Sequence, residues 1–271
     1  MYRKRFGLTH HPLPKDCRGK TFYDKDFGYQ RLAKRFRQLV DDPGLGLLSG
    51  EPGVGKTAAM RNLCAELAQP DHLVLYVCDT AVSPLDLYRT VAIELGVRPS
   101  HRRAQLWCDI KRALVHMVDE RAVAPVIVLD EAHHLSDAFL SDLGGFLNFA
   151  FDSRDLLTVW LVGLTPLAAR LRTQQHQALA TRLAAHVHLE PLGRDAFAVL
   201  IDHGLRAAGS QSKLLSDPAL ELLFRASKGI PRLAARLLRA ALRLAHERDQ
   251  SFIDELILEA AVDDLASLCP P

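Results

Sequence analysis

Short apolar runs alternate with longer amphipathic stretches along the first two thirds of the chain. Runs without polar alternation predict buried strands of a parallel sheet, and they lie at 45–49, 73–78, 126–129, 156–162 and, briefly, 187–189. Helical spacing predicts helices at 27–41, after 57 to about Ala68, and at 83–95, 104–121, 136–149 (with Ser136 as a cap) and 166–184. This alternation predicts an α/β fold, in which helices cover both faces of the sheet.

The pattern changes after Pro191, where every remaining segment has helical spacing. These segments predict helices at 194–208, 217–227, 231–247 and 251–266. At the other end, residues 1–24 are basic and interrupted by proline and glycine, which predicts an irregular arm. We therefore expect an arm and helix (1–43), a sheet domain (44–191) and a small helical domain (192–271).

Charge is unevenly distributed along a chain whose formal net charge is only +2 over 271 residues. Residues 1–37 contain eleven Lys or Arg and three Asp, a local net charge of +8. After Arg248 there are six acidic residues and no Lys or Arg. This asymmetry favours a polyanion or a charged protein as a partner near one end of the chain.

The cysteines and the apolar runs indicate the compartment. The five cysteines, which include Cys269, form no CxxC pair, so we expect free thiols in a reducing cytosol. No apolar signal-peptide core follows the basic N-terminus. The longest apolar run, 156–164, is far shorter than the roughly 20 residues of a membrane helix. We expect a cytoplasmic protein without a membrane partner.

A glycine-rich segment follows the first predicted strand and fits the pattern G-x4-G-K-T without a mismatch. Its glycines allow several backbone N–H groups to point at phosphates, and the next helix directs its positive end there. Lys56 is expected to reach the β- and γ-phosphates of ATP, and Thr57 to hold Mg²⁺. The predicted binding residues are Gly50, Pro52, Gly53, Val54, Gly55, Lys56, Thr57 and Ala58. The alternative is a Gly-rich turn that arose by chance.

Two acids end the strand predicted at 126–129. Asp130 is expected to orient Mg²⁺, and Glu131 to polarise the attacking water. The alternative is that both acids cap the next helix. The letters of Asp130–His133 also spell the DEAH box of helicases, but such helicases need two tandem ATPase domains. We expect His133 and His134 to begin a helix and not to bind a metal.

These features resemble the AAA+ ATPases, which join a P-loop parallel sheet to a C-terminal helical lid. The resemblance implies that 44–191 binds nucleotide and that 192–271 is the lid. It also implies that Arg182 is an arginine finger for a neighbouring subunit, with a surface ion pair as the alternative. Arg232, in Gly229-Ile230-Pro231-Arg232, resembles the sensor-2 arginine, although Pro231 alone suits a helix start. Thr165 is the candidate for the sensor-1 position.

Within AAA+, the chain resembles the ExeA-type and TniB-like ATPases over most of its length. The segments that carry this resemblance include Tyr2-x3-Phe6-Gly7-Leu8, Leu161-Val162-Gly163, Arg182 through Glu190-Pro191-Leu192, and Gly229–Arg232. Related proteins such as MuB, TnsC and IstB regulate transposition. The resemblance implies an ATP-dependent homo-oligomer, either a ring or a helical filament, that assembles on double-stranded DNA and recruits or activates a transposase.

Basic side chains give this expectation modest support. Arg232, Arg236, Arg239 and Arg243 recur along one stripe of a predicted helix, and Ser100–Arg103 forms a basic loop. Each patch is equally a solvated helix face. Three rival functions remain open: a secretion-associated ATPase, a replication initiator or loader, and a nucleotide-gated interaction module without significant turnover.

Overall fold

The computed structural model describes residues 2–67 and 71–268. The predicted helix end at Ala68 and the fifth cysteine, Cys269, lie outside this range. Within it, Cys17, Cys64, Cys78 and Cys108 form no disulfide. No helix in the described ranges has the length and apolar character required to span a bilayer.

The described residues form one sheet of five parallel strands: β1 (Leu45–Gly50), β2 (His72–Val77), β3 (Ala124–Leu129), β4 (Thr158–Gly163) and β5 (Leu183–Leu189), in the order β2-β3-β4-β1-β5. Their α-helices are α1 (Tyr2–Arg5), α2 (Phe27–Asp41), α3 (Lys56–Ala65), α4 (Pro84–Glu94), α5 (Arg103–Arg121), α6 (Asp137–Phe146), α7 (Thr165–Leu171), α8 (Gln177–Ala180), α9 (Arg194–Ala207), α10 (Asp217–Ser227), α11 (Pro231–Glu247) and α12 (Glu255–Leu268).

The described residues divide into two compact units. The sheet unit contains 27–51 and 59–189, and the helical unit contains 2–26, 52–58 and 190–268. This division differs from the expected one at residue 43, because the arm groups with the C-terminal helices while α2 groups with the sheet. The P-loop residues 52–58 also group with the helical unit.

Side chains on the two faces of the sheet enter different packing environments. Leu47 and Leu161 join the core that α4 to α8 cover. On the opposite face of the sheet, Trp160 of β4 stacks on Phe36 of α2, with ring centroids 5.9 Å apart. Gly46 lies so close that a Cβ there would come within 2.7 Å of the Trp160 ring. Helices therefore cover both faces, as the alternating pattern predicts.

In the helical unit, the N-terminal arm contributes to the core. Tyr2, Phe6 and Leu8 are buried among the apolar side chains of α9 to α12. The Thr9 N–H donates to the Ala208 carbonyl at 2.7 Å, and Arg5 forms an ion pair with Asp249 at 2.5 Å. The expectation of an irregular arm is thus wrong for residues 2–5, which form α1, and the burial of the arm's apolar side chains is a feature that local spacing cannot reveal.

The structure differs most from the expected elements at 166–184. One helix was expected there, but α7 ends at Leu171 and a 3₁₀ turn at Gln174–His176 precedes α8. The buried His176 imidazole bonds to Asp137 Oδ1 at 2.9 Å and anchors the interruption. The strand expected at 187–189 begins at Leu183, because β5 lies at the edge of the sheet and alternates buried with exposed residues.

Candidate nucleotide-binding site

The P-loop connects the end of β1, Gly50, to the first residue of α3. Gly53 and Gly55 have φ angles of +87° and +107°, a backbone conformation that side-chain-bearing residues rarely adopt. Lys56 is buried and begins α3, and Thr57 and Ala58 follow in its first turn. Backbone N–H groups at such a helix start form an anion site, which suits the phosphates of ATP.

Arg232 packs directly against this loop inside the helical unit. Its backbone N–H donates to the Gly53 carbonyl at 3.2 Å, and a Cβ on Gly53 would come within 2.8 Å of the Arg232 Cβ. The preceding turn is equally tight: Gly229 has φ +70°, and a Cβ there would come within 2.2 Å of the Leu192 carbonyl oxygen. The Gly229–Arg232 motif therefore fixes an arginine beside the P-loop glycines.

Asp130 lies at the carboxyl end of β3 and is almost fully buried, with 3% of its surface exposed. Its Oδ2 accepts a hydrogen bond from the Tyr76 hydroxyl at 2.9 Å, and its Oδ1 accepts one from the Glu131 N–H at 2.9 Å. Burial, followed by the nearby Asp130 carboxylate, raises the pKa of Tyr76, so this hydroxyl remains a donor. Both carboxylate oxygens are thus held in place, as a metal-orienting group requires.

Glu131 has a left-handed backbone, with φ +51°. The buried Thr80 hydroxyl donates to its carbonyl at 2.8 Å and supports this unfavourable conformation. The Glu131 carboxylate is exposed and lies 3.5 Å from His133 Nδ1. His133 and His134 belong to a short 3₁₀ turn, and the described residues contain no cluster of three metal-ligating side chains.

Thr165 begins α7 directly after β4, the strand that lies between β3 and β1. Its hydroxyl donates to Glu51 Oε1 at 3.2 Å, and Glu51 follows Gly50 at the end of β1. Because all strands are parallel, Gly50, Asp130, Glu131 and Thr165 share the carboxyl edge of the sheet, where open α/β sheets bind ligands.

Arg182 lies at the opposite edge. It immediately precedes β5, whose seven residues extend over roughly 20 Å at about 3.3 Å per residue. There its Nη1 forms an ion pair with Asp152 Oδ1 at 2.7 Å, which holds the pKa of that carboxyl below its usual range. The sheet therefore brings the acids together with Thr165 but separates Arg182 from them within one subunit.

The predicted arginine stripe on α11 divides into two parts. Arg232 contacts the P-loop, whereas Arg236, Arg239 and Arg243 line a groove of about 500 Å³ together with Glu247 and Asp264. The Arg239 Nε is buried and finds no hydrogen-bond partner within 2–67 and 71–268. Arg103, expected in the basic loop, instead begins α5, where it forms an ion pair with Asp142 at 2.5 Å and lies 5.1 Å from the centre of the Trp107 ring.

The N-terminal arm lies on the same part of the helical unit, since α1 packs against α11. Burial lowers the pKa of His11, and the positive charges of Arg239, Arg3 and Arg243 lower it further. Two basic patches that are distant in sequence therefore adjoin in space.

Tyr76 and Thr80 are the residues that sequence reasoning missed. A polar residue near the end of a strand is a weak signal on its own. It becomes informative only once β2 is known to pair with β3, with Tyr76 opposite Val128 and thus close to Asp130.

Residues 38–171 match the family described as the AAA domain. The General secretion pathway protein A of Aeromonas hydrophila is 30% identical over 250 residues, which cover 92% of this chain and 45% of that protein. The chain therefore spans less than half the length of this curated relative.

Several solved structures have similar folds. Cdc6p from Pyrobaculum aerophilum has a TM-score of 0.68 at 18% identity, covering 93% of this chain and 68% of that one. The Aeropyrum pernix ORC2 protein has a TM-score of 0.71 at 15% identity, with 93% and 70% covered. The Thermotoga maritima RuvB motor has a TM-score of 0.58 at 20% identity, and the match covers 87% of this chain and 69% of that one. At these identities the likeness concerns the fold alone, and it confirms the predicted fold class.

The hydrogen bond between Tyr76 and Asp130 yields a stability prediction. Tyr76→Phe should lower the free energy of unfolding by about 1 kcal/mol, because a half-exposed hydrogen bond to the carboxylate is lost. It should also raise the Mg²⁺ concentration needed for half-maximal ATPase activity. Urea unfolding and a Mg²⁺ titration measure the two effects.

Tyr88→Phe is the matched control. The Tyr88 hydroxyl is buried in the same unit but has no hydrogen-bond partner among the described residues. Its removal should be neutral or stabilising. Equal losses of unfolding free energy in Tyr76→Phe and Tyr88→Phe would show that the Tyr76 hydroxyl does not support Asp130.

Proposed function

We propose that this chain, which contains an AAA+ ATPase domain, hydrolyses Mg·ATP and uses the nucleotide to assemble copies of itself on double-stranded DNA. The observation that carries the proposal is the division of charged residues between the two edges of the sheet. Asp130 and Glu131 lie at the carboxyl edge, and Arg182 lies at the amino edge. A single subunit then lacks one part of the machinery, and a second subunit supplies it.

The P-loop binds the phosphates in this proposal. Positive φ angles at Gly53 and Gly55 direct N–H groups inward, and Lys56 contributes a charge to the β- and γ-phosphates. Thr57 and Asp130 would hold Mg²⁺, since a hydroxyl and a carboxylate oxygen suit this ion. When bound, Mg²⁺ neutralises charge on the phosphate oxygens.

Glu131 acts as the base. Its exposed carboxylate accepts a hydrogen bond from the attacking water, and the Thr80 contact fixes the backbone from which it projects. Thr165, at the same edge of the sheet, orients the water or the γ-phosphate. Arg232 supplies a positive charge beside the P-loop, which its contact with Gly53 supports.

Arg182 completes the site of a neighbouring subunit. It lies roughly 20 Å along the sheet from its own carboxyl edge, so it is poorly placed to act there. A finger that neutralises transition-state charge is worth about 10³–10⁵ in rate in other NTPases. Hydrolysis is then coupled to assembly, and it releases the oligomer once ATP is spent.

Substitutions of Glu131 and Lys56 separate binding from hydrolysis. Glu131→Gln should bind Mg·ATP normally but lose about 10²–10⁴ in turnover, since only activation of water is removed. It should therefore remain assembled for longer with ATP.

Lys56→Ala should lose ATP binding, because the phosphates lose their charged partner. Calorimetry measures ATP binding by the two variants, and phosphate release measures their turnover. Wild-type turnover by Glu131→Gln would exclude Glu131 as the base.

DNA binding is supported by the surface that α11 and the N-terminal arm form. Arg236 and Arg243 are exposed there, and positive side chains on such a surface suit the phosphates of DNA. Arg3 contributes to the same surface, since its positive charge lowers the pKa of His11 together with those of Arg239 and Arg243, after the larger effect of burial. No described feature reads base edges, so we propose that binding depends on phosphate contacts and little on sequence.

Charge reversal at Arg236 tests this surface. Arg236→Glu should weaken ATP-dependent DNA binding and reduce the slope of log affinity against log salt by about 1, since one phosphate contact is lost. Arg225→Glu, an equal charge change at an exposed site of α10, is the control. Fluorescence anisotropy over a salt series measures both. Equal effects, or no detectable binding at low salt with ATP, would exclude this surface.

We further propose that the assembly regulates transposition by recruiting or activating a transposase. This part rests on the resemblance to TniB-like ATPases. A pull-down with a DDE-type transposase, in the presence of ATP and DNA, tests it. Capture that is lost with Lys56→Ala supports the role, and capture independent of nucleotide contradicts it.

A secretion-associated ATPase is the second candidate. The similarity to General secretion pathway protein A, at 30% identity over 250 residues, favours it. The two candidates differ in what assembly requires: the secretion role predicts ATP-dependent oligomers without DNA and no change in turnover when DNA is added. A DNA-stimulated ATPase would contradict it.

A further inference from the structure

A turn with an unusual backbone precedes β4. Three consecutive residues, Ala150, Phe151 and Asp152, have φ angles of +47°, +58° and +64°. Only Asp152 is of a type that tolerates this conformation, whereas Ala150 and Phe151 adopt it at a cost. Such a run persists only when the surroundings impose it, and conformations of this kind cluster at functional sites.

Contacts at the base of the turn impose this conformation. Phe149 is buried and pairs with Arg154 in an antiparallel bridge, and the Ser153 N–H donates to the Phe149 carbonyl at 3.2 Å. Arg154 donates two hydrogen bonds to Asp119 of α5, at 2.6 and 3.1 Å. Lys111 Nζ lies 4.8 Å from the centre of the Phe149 ring. The base is therefore fixed while the tip is displayed.

The tip displays two side chains of different character. Phe151 is fully exposed, at 105% of its reference surface, which is unfavourable for a large apolar ring in water. Next to it, Asp152 forms the 2.7 Å ion pair with Arg182. The turn thus combines an exposed aromatic ring, Phe151, with an acidic side chain, Asp152, that binds the proposed arginine finger.

We propose that the turn 149–154 is the surface on which a second copy of this chain docks, and that Asp152 holds Arg182 until that contact forms. This inference rests on the proposed role of Arg182. Because Asp152 adjoins Phe151 and contacts Arg182, any subunit whose phosphate Arg182 reaches must also cover the turn. Docking then buries Phe151 and exchanges the Asp152 carboxylate for a more highly charged phosphate.

The ion pair suits a reversible restraint. Half of the Asp152 side chain is exposed, so water screens the pair and its release costs little. Lys111 lies close enough for its charge to interact with Arg182: burial lowers the pKa of Lys111, and Arg182 lowers it further. The positive charge of Lys111 repels that of Arg182, which favours departure of the arginine once a phosphate is offered.

Removal of the Phe151 ring tests the docking surface. Phe151→Ala should raise the protein concentration for half-maximal assembly by about tenfold or more, as expected for a buried aromatic anchor. Sedimentation velocity with a non-hydrolysable ATP analogue and a short DNA duplex measures it. Phe27→Ala removes an exposed ring at the start of α2 and should leave assembly unchanged. Equal assembly by the two variants would overturn the proposed surface.

Removal of the Asp152 charge tests the restraint. Asp152→Asn keeps the side-chain shape, and asparagine tolerates the left-handed backbone. Half-maximal ATPase activity should occur at about two- to fivefold lower protein concentration, with unchanged maximal turnover per subunit. Asp155→Asn, an equal charge change at a nearby exposed position, should not shift this concentration. An unshifted or raised concentration for Asp152→Asn would overturn the restraint.

Arg182→Ala separates failure of this inference from failure of the proposed function. Wild-type turnover by Arg182→Ala would contradict the finger itself, and the inference with it. Loss of turnover in Arg182→Ala, together with control-like behaviour of Phe151→Ala and Asp152→Asn, would leave the finger in place and overturn only the turn's role.

Discussion

The parallel alignment of the sheet is the constraint on which the rest of the structure depends. Every strand ends at the same edge, so the P-loop start, Asp130, Glu131 and Thr165 lie along one side. The same alignment places whatever precedes β5 at the opposite side, and Arg182 is the residue found there. In the proposed function, Arg182 therefore serves the active site of a neighbouring subunit and not its own, and hydrolysis depends on assembly.

Fixed groups surround the proposed chemistry. Tyr76 and a backbone N–H orient the two oxygens of Asp130, Thr80 supports the strained backbone of Glu131, and Gly53 allows Arg232 to approach the P-loop. Groups that are positioned before the substrate arrives need little reorganisation during reaction, which is the main source of electrostatic catalysis. In our account, the amino edge of the sheet is the part that changes upon assembly.

Local patterns predicted much of this architecture. The bounds of α2 and α11 agree with the expected 27–41 and 231–247, because both helices are long and strongly amphipathic. The P-loop and the acids after β3 follow from short motifs whose chemistry depends on adjacent residues. Ser136 caps α6 as expected, since its hydroxyl accepts from the Phe139 N–H.

The features that the sequence did not reveal depend on contacts between distant segments. The edge strand β5 lacks a continuous apolar run, so only 187–189 was predicted as a strand and residues 183–184 were assigned to a helix. Tyr76 and Asp152 gain their importance from partners 54 and 30 positions away, Asp130 and Arg182, which no local period encodes. The arm was expected to be irregular because proline and glycine interrupt it, yet its apolar side chains complete the core of the helical unit.

Sharing of the active site between subunits is the central claim, and a mixture of two inactive variants tests it most directly. Lys56→Ala retains Arg182, and Arg182→Ala retains Lys56, so some mixed interfaces contain an intact P-loop facing an intact finger. ATPase activity of the mixture should exceed the sum of the two variants measured separately. Activity no greater than that sum, together with wild-type turnover per subunit that is independent of protein concentration, would contradict the account.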